Sequence, residues 1–255
     1  LPGDAPGLRA SEIDELVLPL SEQRQKRGIP MWIILPIKNL DHAKQRLSGA
    51  LTPAERRRLF ETMLEDVLSE ARKVAAADGV LIVSREPKAR ELADRHGAEL
   101  LVEPQNEGQS TAVQRGVLWA MARESRGVIT LPGDAPGLRA SEIDELVLLN
   151  GHEARSVTLS PSHDRRGTNC IVATPPDIIP FHFGHDSFKP HCDEAEKAGV
   201  TAKIRPLPGI GLDIDTPEDV LKFLEMAPQT RTLRFLQESG IAERLRADRD
   251  KDQTA

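Results

Sequence analysis

Met31-Trp32-Ile33-Ile34-Leu35-Pro36-Ile37-Lys38 is followed, after a short polar stretch, by Thr52-Pro53-Ala54-Glu55 and a long patterned segment. That succession decides the fold class. An apolar run ending at a proline predicts a strand over 31–37. Thr52, Pro53 and Glu55 then read as a capping box: Thr52 caps a helix, Pro53 suits its first position, and Glu55 reaches back. Leu59, Met63 and Val67, with Leu64 and Leu68, give that helix an apolar stripe.

The alternation continues outward along the chain. Apolar runs at 80–83 and 100–102 predict strands around a helix that begins near Lys88 and stops at Gly97. A helix over 111–123 leads into a strand over 127–131, and Ser141 is expected to cap the short helix after it. Further strands are expected over 156–159, 170–173 and 202–207. Thr216-Pro217 opens another helix, and 232–238 reads as the last one. Strands alternating with amphipathic helices are the signature of an α/β domain with a largely parallel sheet.

Residues 1–18 repeat residues 131–148 letter for letter. Repeat architectures drift and recur several times, because each unit must stack on the next. A single unchanged copy reads instead as a cloning scar or misjoined prefix, with the polar run 21–28 as a linker. The domain is therefore expected over 31–246, after a prefix at 1–30 and before a charged tail at 247–255 that frays.

Bulk composition narrows the function. The 255 residues are 39% apolar and 29% charged, with a formal charge of −6. No basic excess exists to neutralise a nucleic-acid backbone, although nucleotides need only a few local groups. No apolar run is long enough to span a bilayer, and no signal-peptide pattern is visible. Cys170 and Cys192 are not spaced as a metal pair, and a reducing cytoplasm suits them as plain thiols.

Four segments carry candidate chemistry. After the first strand, Lys38, Lys44 and Arg46 gather three cations where ligands of open α/β sheets sit, suited to a triphosphate; a solvated basic loop is the alternative. No Gly-rich phosphate loop of the Walker or dinucleotide type is present. Leu131-Pro132-Gly133-Asp134 places an acid just past a strand, although Gly-Asp alone is more often a plain turn. Leu212-Asp213-Ile214-Asp215-Thr216-Pro217 sets two carboxylates on one face of an extended segment running into a capped helix. Three carboxylates from two loops suit one or two Mg²⁺ ions, which prefer oxygen ligands. Finally, Gly167, Thr168 and Asn169, with Gly184 and Ser187, offer close backbone approach and hydrogen bonds. His182, His185, His191 and Cys192 lie in the same stretch, but their spacing matches no zinc pattern.

Taken together, these segments resemble the 2-phospho-L-lactate guanylyltransferase family, which includes the phosphoenolpyruvate and 3-phosphoglycerate guanylyltransferases of coenzyme F-420 biosynthesis. The resemblance covers about residues 31–224. It rests on Pro-Ile-Lys with Ala-Lys-Gln-Arg-Leu, Gly-Asp-Ala-Pro, Gly-Thr-Asn, Phe-Gly-His-Asp-Ser-Phe with His191, and Leu-Asp-Ile-Asp-Thr-Pro, in that order. It implies a nucleotide-diphospho-sugar-transferase-like (GT-A-type) single domain with a mixed, mostly parallel sheet. It further implies catalytic Lys38, Asp134, Asp213 and Asp215, with the three aspartates binding Mg²⁺. The nucleotide would meet Lys44, Arg46, Gly108, Gln109 and Ser110, and the acceptor Lys38, Thr168, Gly184 and Ser187. Many members carry Gly-Leu-Asn and small residues where this chain has Glu107-Gly108-Gln109-Ser110-Thr111-Ala112, so guanine is implied by the family rather than by that segment.

The implied reaction moves GMP from GTP to a small phosphorylated carboxylic acid and releases pyrophosphate. The resemblance also implies a cytoplasmic enzyme, without nucleic-acid or membrane partners, whose product passes to a downstream deazaflavin transferase. A homodimer is common enough to expect. The competing readings are a nucleotidyltransferase for a sugar phosphate or molybdopterin-type acceptor, and a non-catalytic nucleotide-binding scaffold whose aspartates are only caps.

Overall fold

The computed structural model describes residues 31–40, 43–184 and 186–252. The duplicated prefix, the linker, His185 and the tip 253–255 lie outside the described residues. Strand β1 (Met31–Pro36) is central, pairing in parallel with β2 (Gly79–Ser84) and with β4 (Gly127–Thr130). β3 (Glu99–Val102) adds in parallel outside β2. β6 (Thr168–Thr174) runs antiparallel between β4 and β5 (Ser156–Pro161), and β7 (Lys203–Ile204) extends β5 in parallel. The seven strands thus form one mixed, mostly parallel sheet in the order β3-β2-β1-β4-β6-β5-β7.

The period-two geometry of β1 explains the layers. Ile33 and Leu35 join Leu59, Met63 and Leu64 of α1 (Pro53–Ala71) on one face. Ile34 joins Val113 and Val117 of α3 (Gln109–Met121) on the other. The α1 face also carries α2 (Pro87–His96), α4 (Ala140–Asn150), and the C-terminal helices α7 (Pro217–Met226), α8 (Arg231–Glu238) and α9 (Ile241–Asp252). The α3 face carries α5 (Phe188–Lys197). A short helix, α6 (Pro208–Gly211), precedes the second acidic segment. Among the described residues no helix is long and apolar enough to cross a membrane.

Several local readings hold in atomic detail. Thr52 N–H donates to Glu55 Oε2 at 2.8 Å and Glu55 N–H to Thr52 Oγ1 at 3.3 Å, closing the capping box. Thr216 and Asp219 repeat the device at α7. α2 ends at Gly97 with φ 60, the left-handed turn that glycine enters without strain.

Others differ. Ser141 does not cap α4, which begins at Ala140; the Ala140 N–H is instead met by Glu70 of α1 at 3.0 Å, and Glu142 accepts from Arg139 N–H at 3.2 Å. The strand expected over 202–207 is reduced to Lys203–Ile204, because Pro206 and Pro208 have no N–H for a ladder. α8 is not the last helix, and the charged segment from Ala247 is helical to Asp252.

Candidate functional site

Strand direction brings the candidate segments together. The loops after β1 and β4 leave at the same edge because the two strands are parallel. β6 is antiparallel to β4, so its first residue, Thr168, starts at that edge too. The chain runs to β2 and β3 on one side of β1 and to β4 on the other, and such reversal points open the crevices where α/β sheets bind ligands. A cavity of about 460 Å³ lies there. Its walls include Lys38 and Arg46 after β1, Asp134 after β4, Gln109 at the start of α3, and Asp213 and Asp215 before α7. Thr168, Gly184 and Ser187 line it as well.

The acidic side is organised around Lys44. Its backbone is left-handed (φ 56, ψ 42), which turns the side chain inward ahead of a 3-10 turn at Gln45–Leu47. The ammonium lies 2.5 Å from Asp134 Oδ2 and 2.7 Å from Asp215 Oδ1, with the side chain only 4% exposed. Burial would lower the Lys44 pKa, but the two carboxylates override it and hold it above the ordinary lysine value. Burial would likewise raise Asp215, yet Lys44, with Arg46 and Lys38 further off, holds that carboxyl below the usual range. Asp213 goes the other way: burial and the neighbouring Asp134 push it up, against hydrogen bonds from Asn169 Nδ2 at 3.0 Å and from its own backbone N–H.

The two acidic loops are stitched to each other. Ile214 N–H donates to Asp134 C=O at 2.9 Å, and Glu142 accepts from Gly209 and Ile210 N–H at 2.8 and 3.1 Å. A Cβ at Gly209 would stand 2.4 Å from the backbone oxygen of Gly137, so only glycine permits this approach. Asp219 accepts from the Asp215 and Thr216 backbone N–H groups and fixes the segment after the carboxylates.

The β5–β6 connection is joined to the acidic segment, His163 N–H donating to Gly211 C=O at 2.8 Å, and is braced by hydrogen bonds of its own. Ser162 N–H donates to Gly167 C=O, Gly167 N–H to Ser162 Oγ, and Ser162 Oγ–H to Asp164 at 2.6 Å. Thr168 N–H donates to Ser187 Oγ at 3.0 Å, tying β6 to the start of α5. Arg166 pairs with Asp186 through two contacts at 2.7 and 3.2 Å in an exposed position.

The sequence-based candidates therefore separate into three groups. Lys38, Arg46, Gln109, Asp134, Thr168, Gly184, Ser187, Asp213 and Asp215 share one cavity. Lys44 lies behind it, bound to the carboxylates rather than presented to solvent. Gly108 (φ 93) precedes α3, and Ser110 Oγ accepts the Phe183 N–H at 2.9 Å, so both shape the wall beside Gln109. Sequence reasoning missed Ser162, Asp164 and Asp219; the polar run Ser162-His163-Asp164 next to Gly167 was the available signal.

A divalent cation can be tested against these residues. Among the described residues no three His, Cys, Asp or Glu side chains stand ready-formed around a metal position, and the place between Asp134 and Asp215 belongs to the Lys44 ammonium. The chemistry of the three candidate donors nevertheless fits magnesium: each is a carboxylate, and Asp213 has no cation beside it among the causes that shift its pKa.

Comparison with known proteins agrees with the geometry. Residues 31–252 match the family described as guanylyl transferase CofC like. The chain is 36% identical over 200 residues to a phosphoenolpyruvate guanylyltransferase of Conexibacter woesei, covering 78% of this chain and 90% of that protein. It is 31% identical over 205 residues to a 3-phospho-D-glycerate guanylyltransferase of Colwellia psychrerythraea, covering 80% and 96%. Among solved structures, one described as a nucleotide-diphospho-sugar transferase from Desulfovibrio desulfuricans G20 superposes with a TM-score of 0.70 at 15% identity, covering 85% of this chain and 97% of that one. A 4-diphosphocytidyl-2C-methyl-D-erythritol synthase gives 0.55 at 12% identity, over 78% and 99%. The fold is that of the nucleotide-diphospho-sugar transferases, and the chain belongs to the CofC-like guanylyl transferase family.

Proposed function

We propose that the protein is a cytoplasmic, Mg²⁺-dependent guanylyltransferase that moves GMP from GTP to a small phosphorylated carboxylic acid in coenzyme F-420 biosynthesis. The observation that carries the reading is one cavity lined by three carboxylates, two cations and the residues Thr168 and Ser187. Such a lining suits a metal-bound triphosphate beside an anionic acceptor.

An acceptor phosphate oxygen attacks the α-phosphorus of GTP. The new P–O bond forms as the bond to the bridging oxygen of the β-phosphate breaks, and pyrophosphate leaves. The attacking oxygen is already ionised near neutral pH, so no protein nucleophile or strong base takes part. The chain's own work is to bind, align and neutralise. Lys38 and Arg46 oppose the triphosphate charge, joined by Lys44 once metal displaces it from the carboxylates, and Gln109 with its neighbours Gly108 and Ser110 borders the nucleoside. Thr168, Gly184 and Ser187, with Lys38, hold the acceptor. Asp134, Asp213 and Asp215 would hold magnesium, which supplies charge neutralisation at the transferred phosphoryl group. The product is handed to a downstream deazaflavin transferase.

The test is pyrophosphate release from GTP and Mg²⁺ with 2-phospho-L-lactate, phosphoenolpyruvate or 3-phosphoglycerate, and with no acceptor. Release that depends on one acid names the substrate. Absence of release with all three, in folded protein that binds GTP, refutes the proposal and moves the reading to a sugar-phosphate acceptor.

A further inference from the structure

A neutral imidazole has one nitrogen that donates and one that accepts, and its neighbours decide which is which. His191, on the first turn of α5, is fully buried and is no part of the cavity wall. Its Nε2 lies 3.0 Å from the backbone nitrogen of His182. An amide N–H can only donate, so Nε2 carries no proton. The proton of the neutral ring is then on Nδ1, which lies 2.9 Å from Thr168 Oγ1. Burial, with a smaller contribution from His182, lowers the His191 pKa to about 4, so the ring is neutral near physiological pH.

This assignment passes outward to the cavity. Thr168 Oγ1 accepts from His191, so its own O–H proton is directed elsewhere. Ser187 Oγ accepts from Thr168 N–H, which leaves its proton to donate as well. Thr168 and Ser187 both line the cavity. The start of α5 contributes little in their place: Phe188 N–H is committed to Arg166 C=O at 2.9 Å, and Pro190 has none.

We infer that His191 is a positioning residue that sets the polarity of the acceptor pocket, its Nδ1–H fixing the Thr168 hydroxyl as a donor to an anionic oxygen of the acceptor. The inference rests on the reading that Thr168 and Ser187 face the acceptor. The anionic oxygen belongs to either the phosphate or the carboxylate of the substrate.

Two substitutions divide the ring's duties. Asparagine places an amide N–H near Nδ1 and keeps the donor to Thr168, whereas glutamine reaches the Nε2 position and keeps the acceptor for His182. His191→Gln is expected to raise the acceptor KM about tenfold, the equivalent of about 1.4 kcal/mol, with kcat and the GTP KM within about twofold. His191→Asn should stay within about threefold throughout, a rescue that a role confined to holding the His182 backbone would not produce. The reverse pattern overturns the inference.

Nitrogen-15 NMR of the unsubstituted protein gives a readout independent of variant folding. The expected signature is a ring proton on Nδ1, unchanged from pH 6 to 8; a proton on Nε2 overturns the inference. Thr168→Val tests the underlying reading separately, because an unchanged acceptor KM there refutes acceptor binding at Thr168 whatever the tautomer. Inorganic phosphate and pyruvate as competing inhibitors identify the oxygen: weakened inhibition by either one in His191→Gln supports the inference, and weakening of neither overturns it.

Discussion

Replacing Lys44 by methionine removes one charge from the most densely ionised point of the site while keeping the length of the stem. The left-handed backbone at this position is equally unfavourable for either residue, so the change isolates the ammonium. Lys44 is almost wholly buried and contacts two carboxylates, whereas Asp134 and Asp215 are 26% and 42% exposed. Breaking a fully buried pair costs about 3–5 kcal/mol and an exposed one at most about 1. The partial exposure of both partners places Lys44→Met between these, at about 2 kcal/mol in the presence of chelator. For a domain of this size that lowers Tm by about 4–8 °C.

Magnesium should then act differently on the two proteins. In the wild type a metal must displace the ammonium from between Asp134 and Asp215, whereas in Lys44→Met it meets only the carboxylates. Saturation at about a hundred times Kd would return about 2.7 kcal/mol, enough to close the gap. The assay is thermal or urea unfolding of both proteins across a magnesium titration. A gap that is absent in chelator, or that stays constant at every magnesium concentration, refutes the reasoning.

Asp134→Asn and Asp213→Asn should each lower turnover by a hundredfold or more (an order-of-magnitude figure for a lost charge contact) in protein that remains folded; steady-state rates beside circular dichroism decide this, and near-normal rates would remove the metal assignment. In chelator Asp213→Asn should also be at least as stable as wild type at pH 7, because the native carboxyl is raised by burial and by Asp134. That advantage disappears in urea melts below the ordinary aspartate pKa, where both proteins are uncharged at this position. Gly209→Ala drives a methyl against the Gly137 oxygen and should cost about 1–3 kcal/mol and separate the acidic loops; unchanged stability and activity would contradict the close approach. His191 has a lowered pKa, so its contribution is full above the unfolded value near 6.5 and is lost as pH falls through about 4. The stability difference between wild type and His191→Asn should therefore shift against wild type by about 2–3 kcal/mol between pH 7 and 4.5, measured by urea unfolding.

What was legible in the sequence was whatever depends on near neighbours. Thr52 with Glu55, Thr216 with its proline, and Gly97 announced helix ends because caps act within a turn. Asp213 and Asp215 announced a shared face because strand geometry alternates. In the sequence Lys44 is one of three loop cations, and nothing near it foretells its salt bridges: they span 90 and 171 residues and depend on a left-handed turn. α5 was hidden because Pro190 and its charged residues obscure the apolar period, and α9 because it is so strongly charged. The antiparallel insertion of β6 was equally opaque, since a strand's direction is set by its neighbours. That insertion is what carries Thr168 to the site edge.

The indole rings of Trp32 on β1 and Trp119 on α3 meet edge to face with centroids 4.7 Å apart, and Arg123 lies over Trp119. They are the chain's two tryptophans, and it has no tyrosine. Both indoles therefore sense the same seam, one of them with a guanidinium over its ring. The near-ultraviolet signal of the whole protein is therefore dominated by one contact, between the central strand and the helix whose other end borders the cavity at Gln109. Intrinsic fluorescence becomes a label already installed on the α3–β1 seam, able to follow its opening in unfolding and any shift of α3 when nucleotide is added.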